Sequence, residues 1–359
     1  MFFVHLYFLK LEQNMNKKII VTGGCGYIGS HTAIELIKNN FQVVIFDDLS
    51  NSSQDTIDRI ESITDVRPVF EQVDLKDVNH TSQVILKHKD AFGVIHFAAL
   101  KAVGESVQKP LDYYQNNLYS LLNTLKAQQE NGIQNFIFSS SATVYGNPKS
   151  LPITEKNQTQ RPFSPYGNTK KMAEEILEDF SKAYTDFSAI SLRYFNPIGA
   201  HESGEIGELP NGIPNNLMPY ITQTAAGIRE KLMVFGNDYD TTDGTPIRDY
   251  IHVVDLAKAH VKALYRLIEN KQEQALETFN LGTGNGFSVM EVIESFERVS
   301  GIKLNYEIVG RRPGDVPQLF AATDLAHQKL GWKAELGLDE MIDSAWRWEQ
   351  KYRATTTAK

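Results

Sequence analysis

One cysteine, Cys25, is all that 359 residues contain. A disulfide framework is therefore excluded, and a reducing, cytoplasmic compartment is expected. Positive charge is not in excess either: 36 Lys and Arg against 44 Asp and Glu leave a net charge of −8. Neither a broad nucleic-acid face nor a membrane surface is expected, so an anionic ligand must meet a local cluster of arginine or lysine. No apolar run approaches the roughly 20 residues of a spanning helix. The apolar stretch within Met1 to Asn14 is too short, and it lacks the basic start and small-residue cleavage site of a signal peptide. Because Met15-Asn-Lys-Lys leads straight into a strand pattern, residues 1–14 read as an extension foreign to the rest, most simply a start codon assigned too far upstream. Repeats and low-complexity tracts are missing. His96, His252 and His260 lack metal-ligand spacing, so they read as core or capping residues and no metal is expected.

What the chain does have begins at Lys18. A short apolar run to Thr22 is followed by Gly23-Gly-Cys-Gly26-Tyr-Ile-Gly29, then a helical pattern over Ser30 to Asn40. A second apolar run, Phe41 to Phe46, ends at Asp47. Strand, glycine turn, helix, strand and acid are the context of a dinucleotide site. The glycines let the backbone approach a pyrophosphate at the helix N-terminus. Asp47 is placed to bind a ribose diol, and with Asp48 it favours NAD over NADP by repelling a 2′-phosphate. The glycine spacing is Gly-x2-Gly-x2-Gly rather than the commoner Gly-x-Gly-x2-Gly.

Strand and helix patterns alternate onward: strands at 67–73, 92–98, 134–140 and 187–193, and helices at 79–89, 111–131 and 166–184. Alternation with short links predicts an α/β, Rossmann-like, doubly wound parallel sheet whose ligands lie at the carboxyl ends of the strands. Past Asn196 the texture changes. Residues 197–217 are rich in Pro, Gly and Asn and read as ligand-facing loops. Helices at 255–270, 289–300 and 338–350 and strands at 277–281 and 303–309 follow. The expected division is a nucleotide domain over 15–194, with segments near 248–285 returning to it, and a smaller C-terminal α/β substrate domain over 195–359.

Tyr166 and Lys170 stand four residues apart in Ser164-Pro-Tyr-Gly-Asn-Thr-Lys170. Residues i and i+4 share a helix face. Ser164 suits the N-cap and Pro165 the first helical position, so Tyr166 falls in the first turn, where the helix dipole favours an anion. Beside a cation, such a phenol is set up to act as a base. Ser141, at the end of a strand, is the third candidate.

Together these stretches resemble the extended branch of the short-chain dehydrogenase/reductase superfamily, and within it the UDP-glucose 4-epimerases. The resemblance runs from Met15 to about Gln350. It is carried by Val21 to His31, His96 to Ser106, Phe138 to Gly146, Leu192 to Ala200, Ile213 to Pro219, Arg248 to Asp255 and Arg311 to Asp315. It implies an NAD-dependent inversion at C4 of a UDP-hexose, through a 4-keto sugar that rotates before it is reduced again. By resemblance Tyr166 is the base, Lys170 holds the nicotinamide ribose and Ser141 bridges the phenol to the sugar oxygen. The cofactor residues it implies are Gly23, Gly26, Tyr27, Ile28, Gly29, Asp47, Asp48, Asp74, Leu75, Phe97, Lys101 and Asn116, together with Tyr166 and Lys170. The substrate residues are Ser141, Thr143, Tyr166, Asn196, Asn216, Leu217, Phe235, Arg248, Arg312, Asp315 and Leu319, and the implied assembly is a homodimer. Arg248 and Arg312 would take the diphosphate, Asp315 the uridine ribose, and Phe235 would lie beside the uracil. Two sister readings compete. NDP-sugar 4,6-dehydratases carry an Asp-Glu pair where this chain has Val144-Tyr145, and non-catalytic NAD sensors lose the Tyr or the Lys. At Leu319 a bulky tyrosine would restrict the sugar pocket and a small residue would admit an N-acetyl group, so N-acetylated sugars are expected to be poor substrates.

Overall fold

Four of the five residues of β1 (Lys18–Thr22) are buried, so neither of its faces meets water. A strand of that kind needs cover on both faces, which a parallel sheet wrapped in helices provides. The protein's structure, a computed structural model, describes residues 17–148, 150–312 and 315–357. The extension expected at residues 1–14 lies outside the described residues.

After β1 come α1 (Tyr27–Lys38), β2 (Gln42–Asp47), α2 (Asp55–Thr64), β3 (Val69–Gln72), α3 (Val78–Lys87), β4 (Gly93–His96), α4 (Val103–Gln108), α5 (Pro110–Glu130), β5 (Asn135–Ser141), α6 (Pro165–Ala183) and β6 (Ser188–Tyr194). A seventh strand, Leu276–Leu281, comes from late in the chain and pairs parallel with β6. The sheet order is Leu276–Leu281, β6, β5, β4, β1, β2, β3, a doubly wound α/β architecture. Its two faces carry separate apolar cores. One is built on Ile19, Val21 and Ile45, the other on Ile20, Val44 and Phe46, as alternation along a strand requires.

The second half is made of smaller pieces. Asn196–Ile198 pairs with Tyr250–His252. Ile247–Arg248 lies between Phe287–Ser288 and Gln318–Leu319. Leu232–Phe235 pairs with Tyr306–Val309. Helices α7 (Leu217–Ala225), α8 (Val253–Ile268), α9 (Val289–Ser300), α10 (Asp324–Leu330) and α11 (Leu338–Thr357) surround them. A third core joins α7, α9 and α11 through Met218, Ile221, Val292, Phe296, Met341 and Ile342. Among the described residues no helix is long and apolar enough to cross a membrane.

Some boundaries differ from expectation. Helix α1 begins at Tyr27 rather than Ser30, inside the glycine stretch. β3 is four residues rather than seven, because Pro68 has no N–H for a ladder bond. The strand expected from Lys303 starts at Tyr306, since Leu304 turns inward and its N–H goes to Glu297 Oε1. The last helix runs to Thr357. Helices α2, α4, α7 and α10 are additional; the first has its inward stripe at Ile57 and Ile60.

Candidate active site

The turn after β1 can be made only by glycine. Gly23 has φ +67°, and a β-carbon on it would lie 2.8 Å from Ala98 N. A β-carbon on Gly29 would lie 2.3 Å from Gly23 O. The first turn of α1 carries no acidic side chain, so its positive end faces the turn unopposed. At the end of β2, Asp47 is pinned by three donors: Cys25 N at 2.9 Å, Leu49 N at 3.0 Å and Ser52 Oγ at 2.7 Å. Burial pushes its carboxyl up and these bonds oppose the rise. Asp47 therefore ties β2 to the glycine turn. Asp48 closes its own turn by accepting from Ser50 N at 2.9 Å and Ser50 Oγ at 2.6 Å. Cys25 is buried, and burial pushes its thiol up, away from nucleophilic reactivity.

Farther along the same edge, Asp74 lies 3.3 Å from Lys76 Nζ, which donates to Asn116 Oδ1 at 3.2 Å. Leu75 is buried between them and α3. Phe97 packs against His260 with the rings tilted by 46° and their centroids 4.7 Å apart. Lys101 Nζ stands 5.6 Å from the centre of the Tyr27 ring. Tyr27 Oη donates to Gly199 O at 2.6 Å. The glycine turn, Asp47, Asp74 and Phe97 lie at or just past the carboxyl ends of β1 to β4, where a doubly wound sheet binds its ligands.

At the end of β5 three serines have three partners. Ser139 Oγ is 2.6 Å from Tyr194 Oη, Ser140 Oγ donates to Glu174 Oε1 at 2.6 Å, and Ser141 Oγ accepts from Thr143 N at 3.2 Å while lying near enough to the Tyr166 phenol to lower its pKa. Helix α6 starts as its sequence dictates: Ser164 Oγ accepts from Gly167 N at 3.1 Å, with Pro165 next. That places Tyr166 and Lys170 side by side, both buried, with Lys170 Nζ 6.0 Å from the centre of the phenol ring. Lys170 Nζ donates to Ser139 O at 2.6 Å. Burial drives the Lys170 ammonium down to about 7, and Glu174 opposes it. Burial likewise pushes the Tyr166 phenol well up, with Ser141 pulling the other way. Thr143 Oγ1 is buried and has no hydrogen-bond partner among the described residues.

The substrate-side candidates are spread over the short strands. Arg248 Nη2 donates to Asp315 Oδ1 at 2.8 Å, and Arg248 Nη1 to Val316 O at 2.9 Å. Arg312 lies over Phe235, 4.6 Å from the ring centre. Leu319 is in register with Arg248 and packs against the group formed by Ala142, Val144 and Tyr145. Asn196 opens its short strand, its N–H bonded to Asp249 O at 3.0 Å. Asn216 caps α7, with Leu217 the first residue of that helix, but its side chain turns away to donate to Glu208 Oε1 at 2.9 Å.

Glu208 has no signal in the sequence. It lies in the loop-rich stretch, yet its Oε1 also accepts from Lys101 Nζ at 2.9 Å. One carboxylate oxygen thus joins a residue expected on the cofactor side to one expected on the substrate side. The histidines fall where expected: His96 is buried against Thr22 Oγ1 at 2.9 Å, His252 caps α8, and His260 bonds Leu256 O at 2.8 Å. Among the described residues no His, Cys, Asp and Glu cluster could hold a metal.

This arrangement has counterparts. A family model described as GDP-mannose 4,6 dehydratase matches residues 20–345. The mouse (Mus musculus) UDP-glucose 4-epimerase is 49% identical over 341 residues, covering 93% of this chain and 97% of its own. The Stenotrophomonas maltophila UDP-glucose 4-epimerase, solved with NAD and a formylated UDP-arabinopyranose, superimposes with TM-score 0.91 at 46% identity, covering 96% of this chain and all of that one. The chain belongs to the UDP-glucose 4-epimerase family. The Bifidobacterium longum epimerase, solved with NAD+ and UDP, superimposes with TM-score 0.89 at 46% identity, covering 94% of this chain and 99% of that one.

Within this family the geometry also speaks against elimination chemistry. Val144 and Tyr145 occupy the place of the dehydratase Asp-Glu pair, and both are wholly buried. Tyr145 Oη is spent on Arg193 Nη1 at 2.9 Å and Asn280 Oδ1 at 2.7 Å. No acid and base face the sugar from those two positions.

Proposed function

We propose that this chain interconverts UDP-galactose and UDP-glucose by oxidising C4, letting the 4-keto sugar turn over and reducing it on the other face. The observation that carries the reading is the Ser141–Tyr166–Lys170 group beside the glycine turn and Asp47. Gly23, Gly26, Tyr27, Ile28, Gly29, Asp47, Asp48, Asp74, Leu75, Phe97, Lys101 and Asn116 hold NAD. When bound, NAD supplies a reversible two-electron acceptor for the hydrogen on C4.

The chain's own residues manage the proton. C4 can be oxidised only as its hydroxyl is deprotonated, so Tyr166 Oη takes that proton and later returns it, with Ser141 Oγ bridging the two oxygens. A phenol of ordinary pKa ~10 needs about 4 kcal/mol of phenolate stabilisation to work near neutral pH. Burial acts against this at both members of the pair. Positive charge has to overcome it: the Lys170 ammonium, the start of α6 and the cationic ring of the cofactor. Lys170 is thus needed charged in a place that favours its neutral form.

The arginines fit a nucleoside diphosphate, for which guanidinium forks are the suited partners. Arg312 is suited to a phosphate, and the Phe235 ring that it covers is suited to a flat base. Arg248 and Asp315 divide between the diphosphate and the ribose. Asn196, Asn216, Leu217 and Thr143 complete the wall around the sugar. Leu319 restricts the pocket less than tyrosine, which makes N-acetylated sugars poor but not excluded substrates. Two units, 15–194 with the returning segment and 195–359, would hold cofactor and sugar respectively. A homodimer is supported by exposed apolar residues on α4 and α5: Val103, Val107, Leu111, Tyr119 and Leu122. A single buried cysteine fits a cytoplasmic enzyme.

Incubation of the purified protein with UDP-galactose tests the reading. UDP-glucose should accumulate to a fixed ratio, with no net reduction of added NAD. A 4-keto-6-deoxy product would indicate a dehydratase, and no product would leave only an NAD-binding protein.

A further inference from the structure

Positions 166, 170 and 174 form one stripe of α6 beside the serines that end β5: Lys170 holds the Ser139 carbonyl, Glu174 holds Ser140 Oγ, and Tyr166 lies near Ser141. Tyr166 and Lys170 belong to the proton chemistry; Glu174 has no part in it so far. Glu174 Oε1 accepts from Ser140 Oγ at 2.6 Å, Ser191 Oγ at 2.9 Å and Arg193 Nε at 2.9 Å. Its Oε2 accepts from Arg193 Nη2 at 2.7 Å and Arg193 Nε at 3.2 Å. Arg193 Nη1 goes on to Tyr145 Oη, and Tyr145 to Asn280. Every one of these residues is buried. A buried ion pair is often no more stable than a well-packed apolar substitute, so stability alone does not account for it. Its place does: the carboxylate is fixed one helical turn beyond Lys170, on the strand whose Ser139 carbonyl holds the Lys170 ammonium.

We infer that Glu174, clamped by Arg193, is a positioning residue for Tyr166 and Lys170: it keeps Lys170 charged inside an apolar site and locks α6 in register on β5. The inference rests on the reading of Tyr166 and Lys170 as the proton-handling pair. The charged and titratable groups facing Lys170 are few. Tyr166 and Glu174 share its helix, His96 faces it from β4, Arg193 and Tyr194 from β6, and Tyr113 comes from α5 beside Tyr166. His96 is held neutral, its pKa lowered to about 3 by burial and by Lys170 itself. Arg193 is already saturated by Glu174. The carboxylate of Glu174 is therefore the negative charge that counteracts the burial of Lys170.

The test uses Glu174→Gln, which keeps the shape and removes the charge, and the double variant Glu174→Gln/Arg193→Met, which leaves no orphaned guanidinium. The Nζ or Cε resonance of Lys170, assigned with Lys170→Arg, is titrated in the full chain, and kcat/KM for UDP-galactose is measured against pH. Losing a nearby negative charge makes the ammonium harder to keep. In Glu174→Gln the Lys170 midpoint and the alkaline limb of the profile should both fall by a pH unit or more, and in the double variant, which also removes the Arg193 positive charge, by less, while KM stays within about twofold. An unmoved midpoint and limb in folded Glu174→Gln would overturn the inference, as would a rise in the folded double variant, which would show that the pair as a whole does not favour the ammonium. If the unmodified protein is no epimerase, the functional reading fails by itself, and the Lys170 titration still decides the role of Glu174.

Discussion

The half of the chain that ends at Tyr194 and the half that follows it build their sites differently. In the first, most candidates sit at or just past the end of a sheet strand or in the first turns of a helix, among them Gly23, Asp47, Asp74, Phe97, Ser141 and Tyr166. The sheet register fixes their spacing. In the second, the candidates sit on two- to four-residue strands and loops and are held by one another, as in Arg248 with Asp315, Arg312 with Phe235, and Asn216 with Glu208. On the proposed function, chemistry that needs sub-ångström placement of a proton and a C4 hydrogen would fall to the half built on the sheet, and recognition of a long, flexible nucleotide sugar to the half built on short strands and loops.

Tyr166→Phe breaks the comparison at its sheet-built end. It removes one oxygen and leaves the stripe and the cofactor channel, so kcat should fall about 10²–10⁴-fold, the range for loss of a general base. NAD should remain bound, measurable by its release on denaturation. Near-normal turnover would remove Tyr166 from the chemistry.

Arg312→Ala addresses the end built on short strands and loops. It loses a charged contact worth roughly 1.5–3 kcal/mol, or about 10–150-fold. The loss should appear in KM for UDP-galactose with kcat nearly unchanged, because the contact is the same in ground and transition states. A fall confined to kcat would put Arg312 in the chemical step and blur the division between the halves.

Lys170→Met probes the sheet-built half through stability. Burial lowers the folded-state pKa of Lys170 to about 7, from the ordinary lysine value of 10.5. Between those values the unfolded chain binds the extra proton, so this group makes stability rise with pH across that window and contributes its full penalty below it. The variant should therefore be favoured over the unmodified, cofactor-stripped protein most at pH 6, and that advantage should shrink by at least ~1 kcal/mol by pH 10. Denaturant unfolding at the two pH values checks it; a constant difference would mean that Lys170 titrates normally.

Leu319→Ser is the smallest change. Leu319 is in register with Arg248 and packs on the turn after Ser141, so it touches both halves. The acetamido group widens the volume swept by the rotating keto sugar. Removing bulk should raise kcat/KM for UDP-N-acetylglucosamine relative to UDP-glucose by roughly tenfold, at the low end for pocket changes of a few carbons. An unchanged ratio would place the steric limit elsewhere.

The same contrast explains what could be read from the sequence. The cap at Ser164-Pro165 and the pairing of Tyr166 with Lys170 are local, set by residues within five positions, and they were legible. So was the glycine turn, apart from the early start of α1. The roles of Asp47 as anchor of that turn and of Arg193 as clamp on Glu174 depend on which strands lie side by side: Arg193 is the direct β6 neighbour of Ser140 only because β5 and β6 pair in that register. Glu208 was invisible because its partners, Lys101 and Asn216, lie 107 and 8 residues away across irregular chain. Loops carry no periodicity from which such a meeting can be inferred.

The central claim is that one site removes a hydrogen from C4 and returns the same hydrogen to the opposite face. UDP-galactose carrying deuterium at C4 tests it in a single experiment, with the UDP-glucose product read by mass and NMR. The account predicts that deuterium stays at C4 through many turnovers in ordinary water. Deuterium lost to solvent, or inversion with a solvent proton at C4, would contradict it.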